Sequence, residues 1–185
     1  MHFSTTMVSA ILATGSVALA LPTSSTSSQL VARKFTPQPN DPSMTPVDVL
    51  DLDQDVKMTC GSTEFSYKDI YQAVQWGEIL EQENLGRGKK SKEFPTGRFP
   101  HSYTATEFTF NDNCPADDNR QEYPLIKDGP YNGGISNNVQ WGDHRVIYYS
   151  KGEVAADGNP IVYFCGGLTH EDADDDGEFV QCTVD

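Results

Sequence analysis

Two β-branched and aromatic runs, separated by a turn-rich stretch, constrain this chain more than any other feature. Val146-Ile147-Tyr148-Tyr149 and Ile161-Val162-Tyr163-Phe164 flank Lys151–Pro160, which is rich in Gly, Asp and Pro. Such a pattern predicts two strands joined by a reversing loop. In an antiparallel pair the start of one strand lies beside the end of the other, so Arg145 and His170 are expected at the same end.

The remaining elements follow in chain order. Ser66–Leu85 predicts the one helix, with Ser66 as cap and Asp69 completing an approximate capping box. Ile70, Tyr71, Val74, Ile79 and Leu80 fall at helical spacing, and Gly86 is the expected stop. Met58–Phe65 suggests a short strand or hairpin anchored at Cys60. Arg98–Tyr103 and Glu107–Phe110 alternate well enough for a strand carrying His101. Gln121–Ile126 is the next expected strand, Lys127–Gly142 a long loop, and Glu178–Cys182 a final strand. One helix followed by several antiparallel strands is an α+β domain.

The N-terminal third has a different character. Met7–Ala20 is a short apolar run ending Ala18-Leu19-Ala20, too short to span a bilayer and similar to a secretory signal with its cleavage site. Residues 1–20 are read as a signal peptide. Residues 21–56, rich in Ser, Thr, Pro and Asp, are read as a disordered leader or pro-segment, with Arg33-Lys34 as a dibasic pair inside it. Residues 57–185 are left as one small domain, and a domain of that size needs help to be stable. Four cysteines, Cys60, Cys114, Cys165 and Cys182, follow the leader. In a secreted domain they imply two disulfides with three possible pairings, and none has the spacing of zinc ligands.

Net charge is −14, against the basic face of a generic nucleic-acid binder. The charge is unevenly spread. Arg87, Lys89, Lys90, Lys92 and Arg98 form a basic island, and Glu171–Glu178 an acidic one. Solvated loops account for both by default.

His101, Glu122, Arg145 and His170 are the titratable candidates, each in or beside an expected strand with apolar neighbours. A carboxylate, two imidazoles and a guanidinium are the parts needed to cleave RNA without metal. A base takes the ribose 2′-hydroxyl proton, an acid protonates the leaving 5′-oxygen, and a cation stabilises the phosphoryl oxygens. Taken singly, each is more often a structural residue.

Together they carry a resemblance. F-P-H-x-Y, E-Y-P-L, H-R-V-I-Y, T-H and F-V-x-C-T occur in that order between Cys60 and Thr183. This succession resembles the guanyl-preferring fungal ribonucleases, a family that includes the sarcin-type ribotoxins. The resemblance implies one long helix packed on a twisted antiparallel sheet of four to five strands, with two disulfides. It implies Glu122 as general base, His170 as general acid, His101 as support of the base and phosphate contact, and Arg145 as phosphate ligand. Phe179 matches the aromatic beside the phosphoryl group, Tyr103 the tyrosine that stacks on the base. Glu107 is the candidate carboxylate for the base edge. The implied reaction passes through a 2′,3′-cyclic phosphate to a 3′-phosphate, needs no cofactor or metal, and has RNA as its partner. A secreted extracellular monomer with no obligate protein partner, and no membrane association after processing, completes the expectation.

Cys60–Cys182 and Cys114–Cys165 are the pairings expected beside that resemblance. Closing a loop on the order of a hundred residues is worth ~4–5 kcal/mol in the chain-entropy model.

Three departures stand out. Phe99 replaces the family's tyrosine before Pro-His, removing a hydroxyl. Thr104-Ala105-Thr106-Glu107 lacks the usual asparagines, and Lys127–Gly142 lacks the Gly-Pro close before the arginine. A ribotoxin cutting a ribosomal RNA loop and a non-catalytic secreted effector are the competing classes. Ribotoxins are typically basic, and this chain keeps both Glu122 and His170.

Overall fold

The computed structural model describes residues 45–95, 97–133, 141–174 and 177–185. The expected signal peptide and the leader up to residue 44 lie outside them. The elements in order are β1 (Asp48–Leu50), β2 (Lys57–Cys60), β3 (Thr63–Ser66), α1 (Tyr67–Gln82), β4 (His101–Ser102), β5 (Arg120–Pro124), β6 (His144–Val154), β7 (Pro160–Thr169), β8 (Val180–Gln181) and β9 (Thr183–Val184).

The β6–β7 hairpin is the spine, longer than its apolar runs required. Arg145 pairs with Leu168 and His144 with Thr169, and the His170 N–H donates to the Asp143 carbonyl at 2.9 Å. Arg145 and His170 therefore share one end, as expected. β5 lies antiparallel to β6, and β4 to β5, which sets His101 opposite Glu122 and Glu122 opposite Ile147. Side chains alternate between the faces of a strand. Tyr123, Val146 and Tyr148 join the main core with Ile70, Val74 and Trp76 of α1. The opposite face carries a smaller cluster of Tyr103, Ile147 and Leu168 with Phe108, Phe110 and Phe179 packed on it.

The α+β class holds, but the sheet is not the antiparallel one of four to five strands. The main sheet is six-stranded and mixed, in the order β1-β7-β6-β5-β4 with β8 also on β7, and β3-β2-β9 make a separate sheet. β1 runs parallel to β7 and comes from within residues 21–56, so ordered structure begins before residue 57. Three residues carry too little periodicity to register as a strand. β1 is held by distant side chains: the Tyr71 hydroxyl donates to the Val47 carbonyl at 3.2 Å, and Gln75 Nε2 to Thr45 at 3.0 Å.

The helix start is as expected. Ser66 accepts from the Asp69 N–H, and Asp69 accepts from the Ser66 N–H at 3.0 Å. The end falls earlier, at Gln82 rather than Leu85. Asn84 takes the left-handed conformation at φ 52°. The N–H of Leu85 reaches Leu80 at 2.8 Å and that of Asn84 reaches Glu81 at 2.9 Å, the crossed pair of a Schellman ending. Asparagine tolerates this conformation, so the helix closes before Gly86 is reached.

Glu107–Phe110 forms no strand. The buried Arg120 guanidinium donates to the carbonyls of Tyr103 at 2.8 Å and of Ala105 and Cys114, satisfying loop backbone that a ladder would otherwise pair. The final strand is split: Val180–Gln181 pairs with β7, and Thr183–Val184 with β2.

Both disulfides have the expected pairing. Cys60–Cys182 fastens the small sheet at the point where the chain changes sheets, across 122 residues. Cys114–Cys165 ties the loop after β4 to β7, across 51 residues.

Candidate active site

Strand register, not sequence proximity, assembles the site. His101 and Glu122 are direct cross-strand partners, and His101 Nε2 lies 3.0 Å from Glu122 Oε1. His101 Nδ1 lies 2.9 Å from the Arg98 carbonyl oxygen, which can only accept, so Nδ1 donates. Nε2 is thereby left facing the carboxylate oxygen, placed to share a proton with Glu122.

Arg145 enters from β6. Its Nε is 3.9 Å from the same Glu122 oxygen, and both side chains are buried, at 2% and 5% exposure. Nη1 is spent on carbonyls, donating to Gly142 at 2.9 Å and His144 at 2.8 Å. Nε makes no hydrogen bond among the described residues. The guanidinium lies 5.2 Å from the centre of the Phe99 ring, so phenylalanine at that position supplies a π-face to the cation. Burial pushes Arg145 down to about 10, with Glu122 opposing the shift and Arg98 adding to it. It remains cationic at neutral pH.

His170 closes the other end. Its Nδ1 donates to the Glu178 carbonyl, leaving Nε2 to exchange a proton. Its ring stacks on Phe179 at 4.0 Å and 22°. Phe179 meets Tyr103 edge-on at 6.1 Å, and the Tyr103 hydroxyl donates to Glu107 Oε1 at 3.2 Å. Tyr103 is largely covered, with the Arg120 guanidinium 5.3 Å from its ring. Burial first, then the Glu107 charge, raises the Tyr103 hydroxyl far above its ordinary range, so it stays a donor.

The seven residues expected at the site thus fall in two linked groups, His101–Glu122–Arg145 and His170–Phe179–Tyr103–Glu107. Their arrangement can hold an anion beside Arg145, with a carboxylate and an imidazole available for proton transfer. His144 takes no part. It turns to the other face, 2.9 Å from the Thr169 hydroxyl and edge-on to Phe65. Burial lowers its pKa against the pull of Glu171.

Two supports escaped the sequence reading. Arg120 holds the loop that carries Glu107, and its two-residue offset from Glu122 on one strand face was the available clue. Phe94, from the basic island, places its ring 5.3 Å from His101. No periodicity could have linked it to a residue across an irregular loop.

A family model described as ribonuclease matches residues 53–183, the whole of the folded region apart from β1 and the last residues. This chain, whose paired strands bring an imidazole, a carboxylate and a guanidinium onto one sheet face, belongs to the ribonuclease family.

Proposed function

We propose that the protein is a secreted, metal-independent endoribonuclease that cleaves single-stranded RNA after guanine through a 2′,3′-cyclic phosphate. The observation that carries this reading is the line His101–Glu122–Arg145 at 3.0 and 3.9 Å, with His170 at the same end of the hairpin as Arg145. Glu122 removes the 2′-hydroxyl proton, with His101 and Arg145 beside it to position its carboxylate. His170 protonates the leaving 5′-oxygen through Nε2. Arg145 supplies the positive charge beside which the phosphoryl oxygens are stabilised. Hydrolysis of the cyclic phosphate reverses the two proton transfers and yields a 3′-phosphate.

Glu107 supports the guanine reading. One carboxylate oxygen is tied to Tyr103, and the side chain is exposed, leaving the other oxygen for a base. Guanine presents N1–H and N2–H donors on one edge; adenine presents only its N6 amino group there, beside an acceptor. Phe179, backed by the largely covered Tyr103, forms the wall against which the base packs, a contribution of ~1–3 kcal/mol open to any base.

The test is cleavage of the four dinucleoside monophosphates with a common 3′ uridine, in EDTA, with cyclic phosphate followed by NMR. The expected order is guanine, then adenine, with a bell-shaped pH profile and a loss of about 10²–10⁴ in rate for His170→Ala. Glu107→Gln lowers the guanine-to-adenine ratio about tenfold, the scale of one charge-assisted hydrogen bond. Activity abolished by EDTA would overturn the mechanism, and equal losses on both bases would remove Glu107 from recognition.

A further inference from the structure

The basic island is attached to the active site. Residues 86–98 carry Arg87, Lys89, Lys90, Lys92 and Arg98 against a single acid, Glu93, in a chain of net charge −14. Lys89, Lys90 and Lys92 are exposed. The loop is pinched shut at its base. Arg87 and Phe99 exchange backbone hydrogen bonds at 2.7 and 3.0 Å. Gly97, at φ 138°, packs so closely on Gly86 that a Cβ on Gly86 would come within 2.8 Å of the Gly97 carbonyl. Inside the loop, Ser91 and Phe94 form a turn, with the Phe94 N–H on the Ser91 hydroxyl at 3.0 Å.

Both sides of the loop fasten on His101. Phe94 packs on its ring, and the Arg98 carbonyl accepts from its Nδ1 at 2.9 Å. The Arg98 guanidinium lies 5.5 Å from the centres of both the Phe99 and Trp141 rings. Arg98 and Arg145 thus flank the same phenylalanine, one exposed and one buried, and Arg98 bears on Arg145 as a like charge. Among the described residues Glu122 is the carboxylate in an ion pair with Arg145, and it is committed to His101 as well. Cations gathered in this way are relieved by an anion, and a polyanion strand meets several of them at once.

We propose that this loop is a phosphate track, in which Arg98, Lys89, Lys90 and Lys92 bind the backbone phosphates of single-stranded RNA flanking the scissile one; the proposal rests on the reading of the neighbouring site as a ribonuclease centre. The track lets a strongly acidic protein take a polyanion. At physiological salt the screening length is about 8 Å, so a strand on the loop feels the local cations more than the distant acids.

The test separates the track from the chemistry. A decamer of 2′-deoxynucleotides lacks the attacking hydroxyl, so its Kd reads binding alone. The triple variant Lys89→Ala/Lys90→Ala/Lys92→Ala is expected to weaken it about tenfold at about 50 mM salt. Log affinity against log salt should become shallower by about 2, near 0.7 per lost phosphate contact. Arg98→Ala is expected to weaken binding severalfold, with Arg98→Lys restoring part. The ratio of kcat/KM for a decaribonucleotide over a dinucleoside monophosphate should fall about tenfold in the triple variant. Lys68→Ala, an exposed cation on α1, serves as the control and should move none of these. Unchanged Kd and salt slope would overturn the track, as would equal losses on decamer and dinucleotide. Wild-type cleavage rates in His170→Ala would instead overturn the catalytic reading, while the deoxy-decamer binding would still report on the loop.

Discussion

Two carboxylate sites lie on opposite faces of the same sheet, and the protein treats them differently. On one face Glu122 is buried with Arg145 and His101 beside it. On the other, Glu78 and Glu81 of α1 are pressed against β6. Gln82 Nε2 donates to Glu78 Oε1 at 2.9 Å, while Glu78 Oε2, Glu81 Oε2 and the Tyr148 hydroxyl make no well-formed hydrogen bond among the described residues, although Ser150 bears on Glu78 and the Tyr148 hydroxyl on Glu81. Gly77 lets the elements approach, since a Cβ there would meet the Tyr148 hydroxyl at 2.8 Å. Burial raises both acids, and repulsion from Glu78 helps carry Glu81 to about 7. A buried carboxylate with a cation can stay charged and serve as a base; one without a cation takes up a proton.

The largest effect is expected from removing the cation. Arg145→Met keeps most of the volume but leaves Glu122 buried beside His101 alone, at a cost of about 3–5 kcal/mol measured by urea unfolding. Arg145→Met/Glu122→Leu should recover most of that loss, because two apolar side chains replace the pair. A double variant no more stable than the single one would show that the pair is not the unit.

The second effect concerns pH. Glu81 moves from 4.5 to about 7, so the folded state holds a proton that the unfolded chain releases at lower pH. The contribution to stability is full below pH 4.5 and is lost as pH rises towards and through 7. Discounted for partial exposure, it is roughly 2–3 kcal/mol. Glu81→Gln should therefore stabilise the protein at pH 8, and flatten its unfolding free energy between pH 5 and 8. A pH slope unchanged in that variant would assign the titration elsewhere.

The smallest effect is expected at Tyr148. Tyr148→Phe removes a buried hydroxyl that faces Glu81 without a well-formed hydrogen bond, so stability at pH 5 should change by less than about 1 kcal/mol in either direction. A larger loss would mean that the hydroxyl is bonded to protonated Glu81, which would bring the two faces closer in character.

The two sites also differ in how far they could be read beforehand. Glu122 was legible because it sits in a short strand motif between others in a known order. Glu78 and Glu81 were hidden inside a helix whose apolar spacing accounted for it completely. Arg98 and Phe94 stood in an island best explained as solvated loop, until the Arg87–Phe99 bridge brought it against His101.

Local patterns alone determined the capping box at Ser66, the β6–β7 hairpin and its shared end for Arg145 and His170, because these depend on neighbours a few residues apart or on one reversing turn. The tertiary structure decided the rest. It drew β1 out of a polar leader by hydrogen bonds from Tyr71 and Gln75. It ended the strand after His101 by giving loop carbonyls to Arg120. It also set which carboxylate has an arginine from another strand beside it and which has a tyrosine hydroxyl, because only the register of β5, β6 and α1 brings those side chains together.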